Sequence, residues 1–382
     1  MKAGWKSVPM GLLCSIKNGK SDTQDAVEDG EYEFFDWSRT VKRSSRFLFD
    51  CEALIIPGEG TEFLPRHFIG KFDLHQRAYA LHNFSSEIDA RFLYFYLHHK
   101  AAYLPSVAVG ATVKSLRMRH FETLPVLITA IVEQQRIVTI LDEAFEGIAT
   151  ATANAEINLR KARELFQNHL KGILRNPKYP VKNLGQLCNG VEYGTSSKSE
   201  QIGRTPVLRM GNIQQGKLDW SDLVYSNNQT DIKKYALRFN DVLFNRTNSL
   251  ELVGKTATYK GEMPAIFAGY LIRVNRIDSL LDADYLCYYL NSSDAIAYGK
   301  TVVISSVHQA NINGSKLKAY PIPAPSLAEQ KQIVEQLDEL AAEVTSLDVV
   351  YKQKLDALAE LKKSILHQAF SGQLHQGQYE RS

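Results

Sequence analysis

"SLAEQKQIVEQLDEL", Ser326 to Leu340, has a near-copy earlier in the chain, "AIVEQQRIVTILDEA", Ala130 to Ala144. Glu133-Gln134 of the first copy matches Glu329-Gln330 of the second. Without a gap, Pro125 meets Pro321, Ile137-Val138 meets Ile333-Val334, and Leu141-Asp142-Glu143 meets Leu337-Asp338-Glu339. The register holds through Leu159 with Leu355 and Glu164-Leu165 with Glu360-Leu361. Two further matches lie upstream: "DARFLYFYL" (Asp89 to Leu97) with "DADYLCYYL" (Asp282 to Leu290), and "VPMGLLC" (Val8 to Cys14) with "VKNLGQLC" (Val181 to Cys188). The spacing between copies widens along the unit by about 22 residues, so the second copy carries extra chain in its middle while the tails stay in register. One long unit has been duplicated, which is not the short period of a stacked repeat protein.

Beyond the repeated line, apolar residues recur at steps of three and four. In the first copy they include Leu141, Ile148, Leu159 and Phe166; in the second, Leu337, Val344, Leu347, Leu355 and Ile365. Such spacing puts them on one face of a helix. No proline interrupts Ile131–Leu174 or Leu327–Phe370. Ser326 with Glu329 forms an S-x-x-E capping box after Pro325; in the first copy Ala130 stands in place of the serine, leaving Thr129 or a weaker cap. Each helix is expected to run about 44 residues, or roughly 65 Å. A stripe that long needs a partner helix, and the duplicate in an antiparallel pair buries it without a second chain. The other arrangement is two separate coiled coils, each binding a different protein.

The remaining chain is rich in strand and turn signals. "FLFDCEALIIPGEGT" (Phe47 to Thr61) predicts a turn at Asp50-Cys51, a buried strand Ala53–Ile56 and a loop from Pro57; "LRFNDVLFNRTNS" (Leu237 to Ser249) predicts a turn at Asn240-Asp241, a strand Val242–Phe244 and a loop from Asn245. Equivalent strands thus feed unlike loops, and loops carry recognition. The expected organisation is α+β: globular α/β domains at 1–122 and 176–318, each followed by a long-helix region at 123–175 and 319–375, with a tail at 376–382. The two helices form an antiparallel coiled coil with internal pseudo-two-fold symmetry.

The 382 residues are 44 % hydrophobic and carry a formal charge of only +3, so any nucleic-acid binding must come from local patches. Cys14, Cys51, Cys188 and Cys287 form no CxxC pair, which speaks against a structural zinc or redox dithiol and for a reduced, cytoplasmic setting; no metal ligands are expected. Neither a signal peptide nor a membrane helix is predicted.

Local patches exist. "WSRTVKRSSR" holds Trp37, Arg39, Lys42, Arg43 and Arg46 without an acid. The second half offers Lys198, Arg204, Arg209, Asn212 and Gln214, then Asn245, Arg246, Thr247 and Asn248. Lys114, Lys255, His308 and Gln309 complete the candidate DNA-binding set. Arginine forks guanine, asparagine and glutamine pair with adenine edges, and lysine with serine or threonine mostly holds phosphates. For any one of them, a solvated surface or a local turn bond is an equally good reading.

No catalytic residues are expected. "NPKYP" (Asn176 to Pro180) imitates the Asn-Pro-Pro-Tyr loop of adenine methyltransferases, but Lys178 spoils it and no glycine-rich cofactor loop precedes it. "LVGKT" (Leu252 to Thr256) ends like a phosphate loop, yet Ser249 stands where its first glycine belongs.

"PIPAPSLAEQKQIV" (Pro321 to Val334) and "ELKKSILHQAFSGQL" (Glu360 to Leu374) resemble the conserved regions of the DNA-specificity subunit of Type I restriction–modification systems; "VLRMGNIQQGKLD" (Val207 to Asp219) and "VLFNRTNSLELVGKT" (Val242 to Thr256) resemble its target-recognition domains. The first copy, "LPVLITAIVEQQRIV" (Leu124 to Val138), lacks two of the prolines and the serine cap. The resemblance implies a non-catalytic reader of a bipartite site in double-stranded DNA. It implies two modification subunits on the helices, methylating adenine with S-adenosylmethionine, and a restriction subunit that translocates and cleaves. Cofactors (S-adenosylmethionine, Mg and ATP) are then expected on the partner subunits alone. Two other functions compete: a coiled-coil adaptor joining two protein-binding domains, against which the basic and amide clusters argue, and a self-sufficient methyltransferase, against which the missing glycine loop argues.

Overall fold

A computed structural model describes residues 4–306 and 309–374. The chain divides into two compact units: unit 1 combines residues up to 156 with those from 352 onward, and unit 2 is Ile157–Tyr351. Four helices matter most: α1 (Ala90–His99), α2 (Ile131–Leu174), α3 (Ala283–Leu290) and α4 (Leu327–Ser371). Both long helices end within a residue of the sequence expectation, because nothing between their caps breaks the 3.6-residue pattern. At the start of α4 the capping box forms: the Ser326 amide donates to Glu329 Oε2 at 3.0 Å and the Glu329 amide to Ser326 Oγ at 3.3 Å.

Unit 1 is built on a six-stranded sheet in the order Ser15–Asn18, Ala78–His82, Phe49–Pro57, Arg66–Leu74, Tyr32–Phe35, Lys42–Ser44. Strand Phe49–Pro57 lies inside the sheet, which is why "ALII" (Ala53 to Ile56) is apolar on both faces. The turn expected at Asp50-Cys51 is instead part of that strand: Asp50 pairs with Lys71 and Cys51 with Gly70, so a partner some twenty residues distant extends it past its polar start. α1 packs on this sheet, capped by the Asp89 carboxylate accepting from the Phe92 amide at 2.9 Å.

Unit 2 repeats the plan with different detail. Its four-stranded sheet runs Cys188–Tyr193, Leu271–Arg276, Val242–Asn245, Thr256–Thr258, and α3, capped by Asp282, lies on it. Other strands of the unit form a separate three-stranded sheet (Val224–Ser226, Thr205–Leu208, Ile266–Phe267) whose pairing repeats that of Lys42–Ser44, Tyr32–Phe35 and Arg66–Leu74 in unit 1, and the hairpin Ile213–Leu218 lies between its first two strands in the chain.

In each unit the long helices lie antiparallel. In unit 1 Ile137, Leu141 and Ile148 of α2 share a core with Ile365, Leu366 and Phe370 of α4, and Lys362 Nζ sits 4.8 Å from the Phe145 ring. In unit 2 Arg163 grips Asp348 with two bonds of 2.9 and 2.5 Å, while Leu170 and Leu174 further along α2 meet Ile333 and Leu337 earlier along α4. The seam is not uniform. Leu141, Ile148, Leu337 and Ile365 are buried, but Leu159, Phe166, Val344 and Leu355 are half-buried, and Leu347 is 41 % exposed, contrary to its expected packing role. A helix pair by itself covers only one side of each side chain; burial is complete where α1 or α3 adds a third layer.

α1 closes with His98 and His99 against this core. Burial drives both imidazoles down to about 4, helped by Lys362 and Arg91 at His98 and by Lys100 and His367 at His99. Unfolded histidines titrate near 6.5, so on acidification the unfolded chain takes up protons first. The contribution of these two histidines to the stability of unit 1 is therefore full above about pH 6.5 and is lost as pH falls toward 4. Thermal midpoints measured across that range should show the slope, and His98→Asn should flatten it.

Candidate nucleic-acid interface

At Pro57 the central strand of unit 1 leaves its sheet. Gly58 follows because a Cβ there would lie 2.2 Å from the Arg77 carbonyl, to which its own amide donates at 2.8 Å. The exit loop is then stitched to a second loop: the Leu116 amide donates to Gly58 O at 2.8 Å and the Gly60 amide to Lys114 O at 3.0 Å. Val109 and Ser115 exchange backbone bonds of 2.9 and 2.7 Å, closing a finger whose tip, residues 110–114, is wholly exposed. Gly110, at φ +119, makes its sharp turn. A third loop joins through Arg39 and Glu62, 2.5 Å apart. On it Trp37 is 43 % exposed and stands edge-on to His75 at 4.5 Å. Lys42 reaches back to the buried Asp36 at 2.6 Å. Desolvation of that carboxyl is outweighed by its bonds to Lys42 and Ser38, which hold it below the usual carboxylate range.

Unit 2 uses the same frame. Strand Val242–Asn245 leaves its sheet, the Ile312 amide donates to Arg246 O at 2.9 Å, and Thr247-Asn248 pairs with Asn311 and Ala310 of a hairpin formed with Ile304–Ser306. Gly58-Glu59 and Arg246-Thr247 thus hold equivalent places, as do Ser115 and Asn311. Beside them Lys255 Nζ donates to Gln214 Oε1 at 3.2 Å, on a hairpin turned by Gln215 (φ 51) and Gly216 (φ 79).

This placement sorts the candidates. Trp37, Arg39, Lys114, Lys198, Arg204, Gln214 and Gln309 are exposed, and Asn248 and Lys255 partly so. Among the described residues Lys114, Lys198 and Arg204 have no ion-pair partner. His308 lies outside the described residues.

Several other candidates are engaged within the fold. The basic run at 37–46 has no acid in sequence but meets acids in space: Arg43 pairs with Glu33 at 2.6 Å and with the Gly30 and Glu31 carbonyls, and Arg46 pairs with Asp25 at 3.0 Å. Arg209 pairs with Asp222 at 2.9 Å. Asn212 is buried, accepting from the Arg209 amide and donating to the Asp219 and Asp222 carbonyls. Asn245 and Thr247 are buried too, Thr247 accepting from Asn311 Nδ2 at 2.8 Å. Arg246 lies 4.9 Å from the Tyr193 ring and donates to Gly269 O and Asn311 Oδ1, both at 3.3 Å. These three contacts hold the guanidinium against its own loop.

Sequence reasoning missed the supports. Arg273 joins Glu192 and Asp241 under the unit 2 sheet, and Asn291 ties Thr256 by bonds of 3.1 and 2.9 Å. The "VGATVKS" finger (Val109 to Ser115) had a usable signal in its β-branched residues around one glycine. Unit 1 offers Lys114, suited to a phosphate, and unit 2 offers Lys198 and Arg204 together with the amides Gln214, Asn248 and Gln309, suited to base edges. Among the described residues no helix is long and apolar enough to cross a membrane, and no cluster of His, Cys, Asp and Glu could hold a metal ion.

Comparison with known proteins agrees with this picture. The family described as Type I restriction modification DNA specificity domain matches residues 2–159 and again 176–354, one match per copy of the duplication. The chain is 22 % identical to the Type I restriction enzyme EcoDI specificity subunit of Escherichia coli, over 97 % of this chain and 88 % of that protein. It is 24 % identical to the EcoKI specificity subunit of Escherichia coli strain K12, over 71 % and 62 %. Among solved structures, one concerned with complex assembly and conformational transition of the type I R-M system superposes with a TM-score of 0.75 at 17 % identity, covering 98 % of this chain and 99 % of that one. The HsdS subunit from Thermoanaerobacter tengcongensis gives 0.54 at 18 % identity, covering 98 % of each.

Proposed function

The chain belongs to the Type I restriction modification DNA specificity family, and from that premise we propose that each of its two units reads one half of a bipartite site in double-stranded DNA. DNA sequence recognition is the function of the family; the division of labour between the units is our reading. One observation carries it. Both units present the same backbone frame, a central strand whose exit loop is bonded to a finger, and fill it with unlike residues: Glu59, Thr61, Glu62 and Lys114 in one, Asn248, Leu250, Lys255 and Gln309 in the other. A constant frame with variable contents suits two readers of different sequences.

The chain directs chemistry that its partners perform. Two modification subunits dock on the long helices, where Leu165, Leu347, Val350 and Leu361 expose apolar surface. They supply S-adenosylmethionine and methylate adenine, and a restriction subunit supplies the Mg- and ATP-dependent steps. The complex works in the cytoplasm, where its DNA is.

Footprinting of the chain with its modification subunit should give two protected patches separated by uncontacted base pairs. One continuous patch, or none, contradicts the reading. Lys114→Ala should weaken binding to all sequences and lower the slope of log affinity against log salt by about 0.9. An unchanged slope would remove Lys114 from the interface.

A further inference from the structure

Two glutamines of the duplicated line make the same three bonds. Gln134 is buried; its Nε2 donates to Glu87 O at 2.8 Å and Thr129 O at 2.7 Å, and its Oε1 accepts from the Asp89 amide at 3.0 Å. Gln330 is buried; its Nε2 donates to Leu280 O and Pro325 O, both at 2.9 Å, and its Oε1 accepts from the Asp282 amide at 2.8 Å. Each amide thus joins three pieces: the first turn of a long helix, the residue two places before that helix, and the cap of the small helix that lies on the reading domain's sheet.

A second point follows about 12 Å further along each long helix. Asp142 accepts from Arg91 of α1, and Asp338 accepts from Tyr288 of α3 at 2.5 Å. The aspartates match in the repeat while their donors differ. One contact would leave the small helix free to swing about it, whereas two set an angle.

We propose that these paired contacts are positioning contacts that fix how each reading domain stands on its own helix, and so decide which lengths of spacer DNA the protein accepts. The inference rests on the bipartite reading above. Lengthening the spacer by one base pair displaces a half-site by about 3.4 Å and turns it by about 35°. A stiff junction cannot follow that movement and the half-site's contacts are lost; a loosened junction can.

The test uses cells carrying the chain with its modification subunit and a plasmid library in which the two half-sites are separated by spacers of graded length. Adenine methylation is read for each spacer. The unaltered protein should favour one length over its neighbours by roughly tenfold or more. Tyr288→Phe removes one hydroxyl, and Gln330→Ala removes all three bonds of its amide. Either should cut the preference to roughly threefold or less while both half-sites remain necessary. Should Gln330→Ala fail to accumulate, Tyr288→Phe decides alone. Lower methylation at every spacer with the preference intact would give these residues a merely structural role and overturn the inference. An unaltered protein that shows no paired half-sites would overturn the bipartite reading, and this inference with it.

Discussion

Phe370→Ala should lower the stability of unit 1 by about 3–5 kcal/mol, the usual result of emptying a buried aromatic site. The side chain comes from the last turn of α4, yet its neighbours belong to the first hundred residues. Its ring meets Phe92 at 5.2 Å and Tyr96 at 5.3 Å, both edge-on, and His99 at 5.3 Å. Edge-to-face contacts of this kind add to the area buried. Phe92 in turn lies 6.2 Å from Trp5, so Trp5 fluorescence during denaturant unfolding reports on this core. A loss of less than about 1 kcal/mol would mean that the end of α4 merely rests on the domain without completing it.

Arg273→Met should cost unit 2 about 3–5 kcal/mol, the range for removing one partner of a buried ion pair. Arg273 donates to Glu192 Oε2 through Nε and Nη2 at 3.2 and 2.5 Å, and through Nη1 to Asp241 Oδ2 at 3.0 Å and Ala236 O at 2.8 Å. The guanidinium also lies 5.2 Å from the Phe267 ring. Methionine keeps the volume and leaves two carboxylates facing each other unpaired. Lysine keeps the charge but not the fork, so Arg273→Lys should fall between the two. Unfolding followed by Trp220 fluorescence gives the magnitudes. Because Arg273 stands on the strand that pairs with Val242–Asn245, loosening it should also blur recognition at the half-site read by unit 2 alone. Equal loss at both half-sites would argue against independent reading.

The long helices were legible from sequence because their signal is local: one uninterrupted period with a proline-marked start at Ser326. The small helices were legible for the same reason. Inside the domains the deciding partners lie far off in the chain. Cys51 looked like a turn residue until Gly70 paired with it. Arg43 and Arg46 looked like a free basic patch until Glu33 and Asp25 folded beside them. Charge runs report composition, and only the fold says which charges are already neutralised. Gln134 and Gln330 were visible as matching letters, but a glutamine whose partners are main-chain carbonyls leaves no second letter to match. The repeated line starts a long helix and is at the same time a socket.

That socket is indifferent to what is plugged into it. Both glutamines bind peptide groups and no side chain, and a peptide group is the same in every protein. A foreign domain spliced in ahead of either long helix would bring those main-chain atoms with it, whatever its own letters spell. It would still have to supply one side-chain donor opposite the matching aspartate, as Arg91 and Tyr288 do in their different ways.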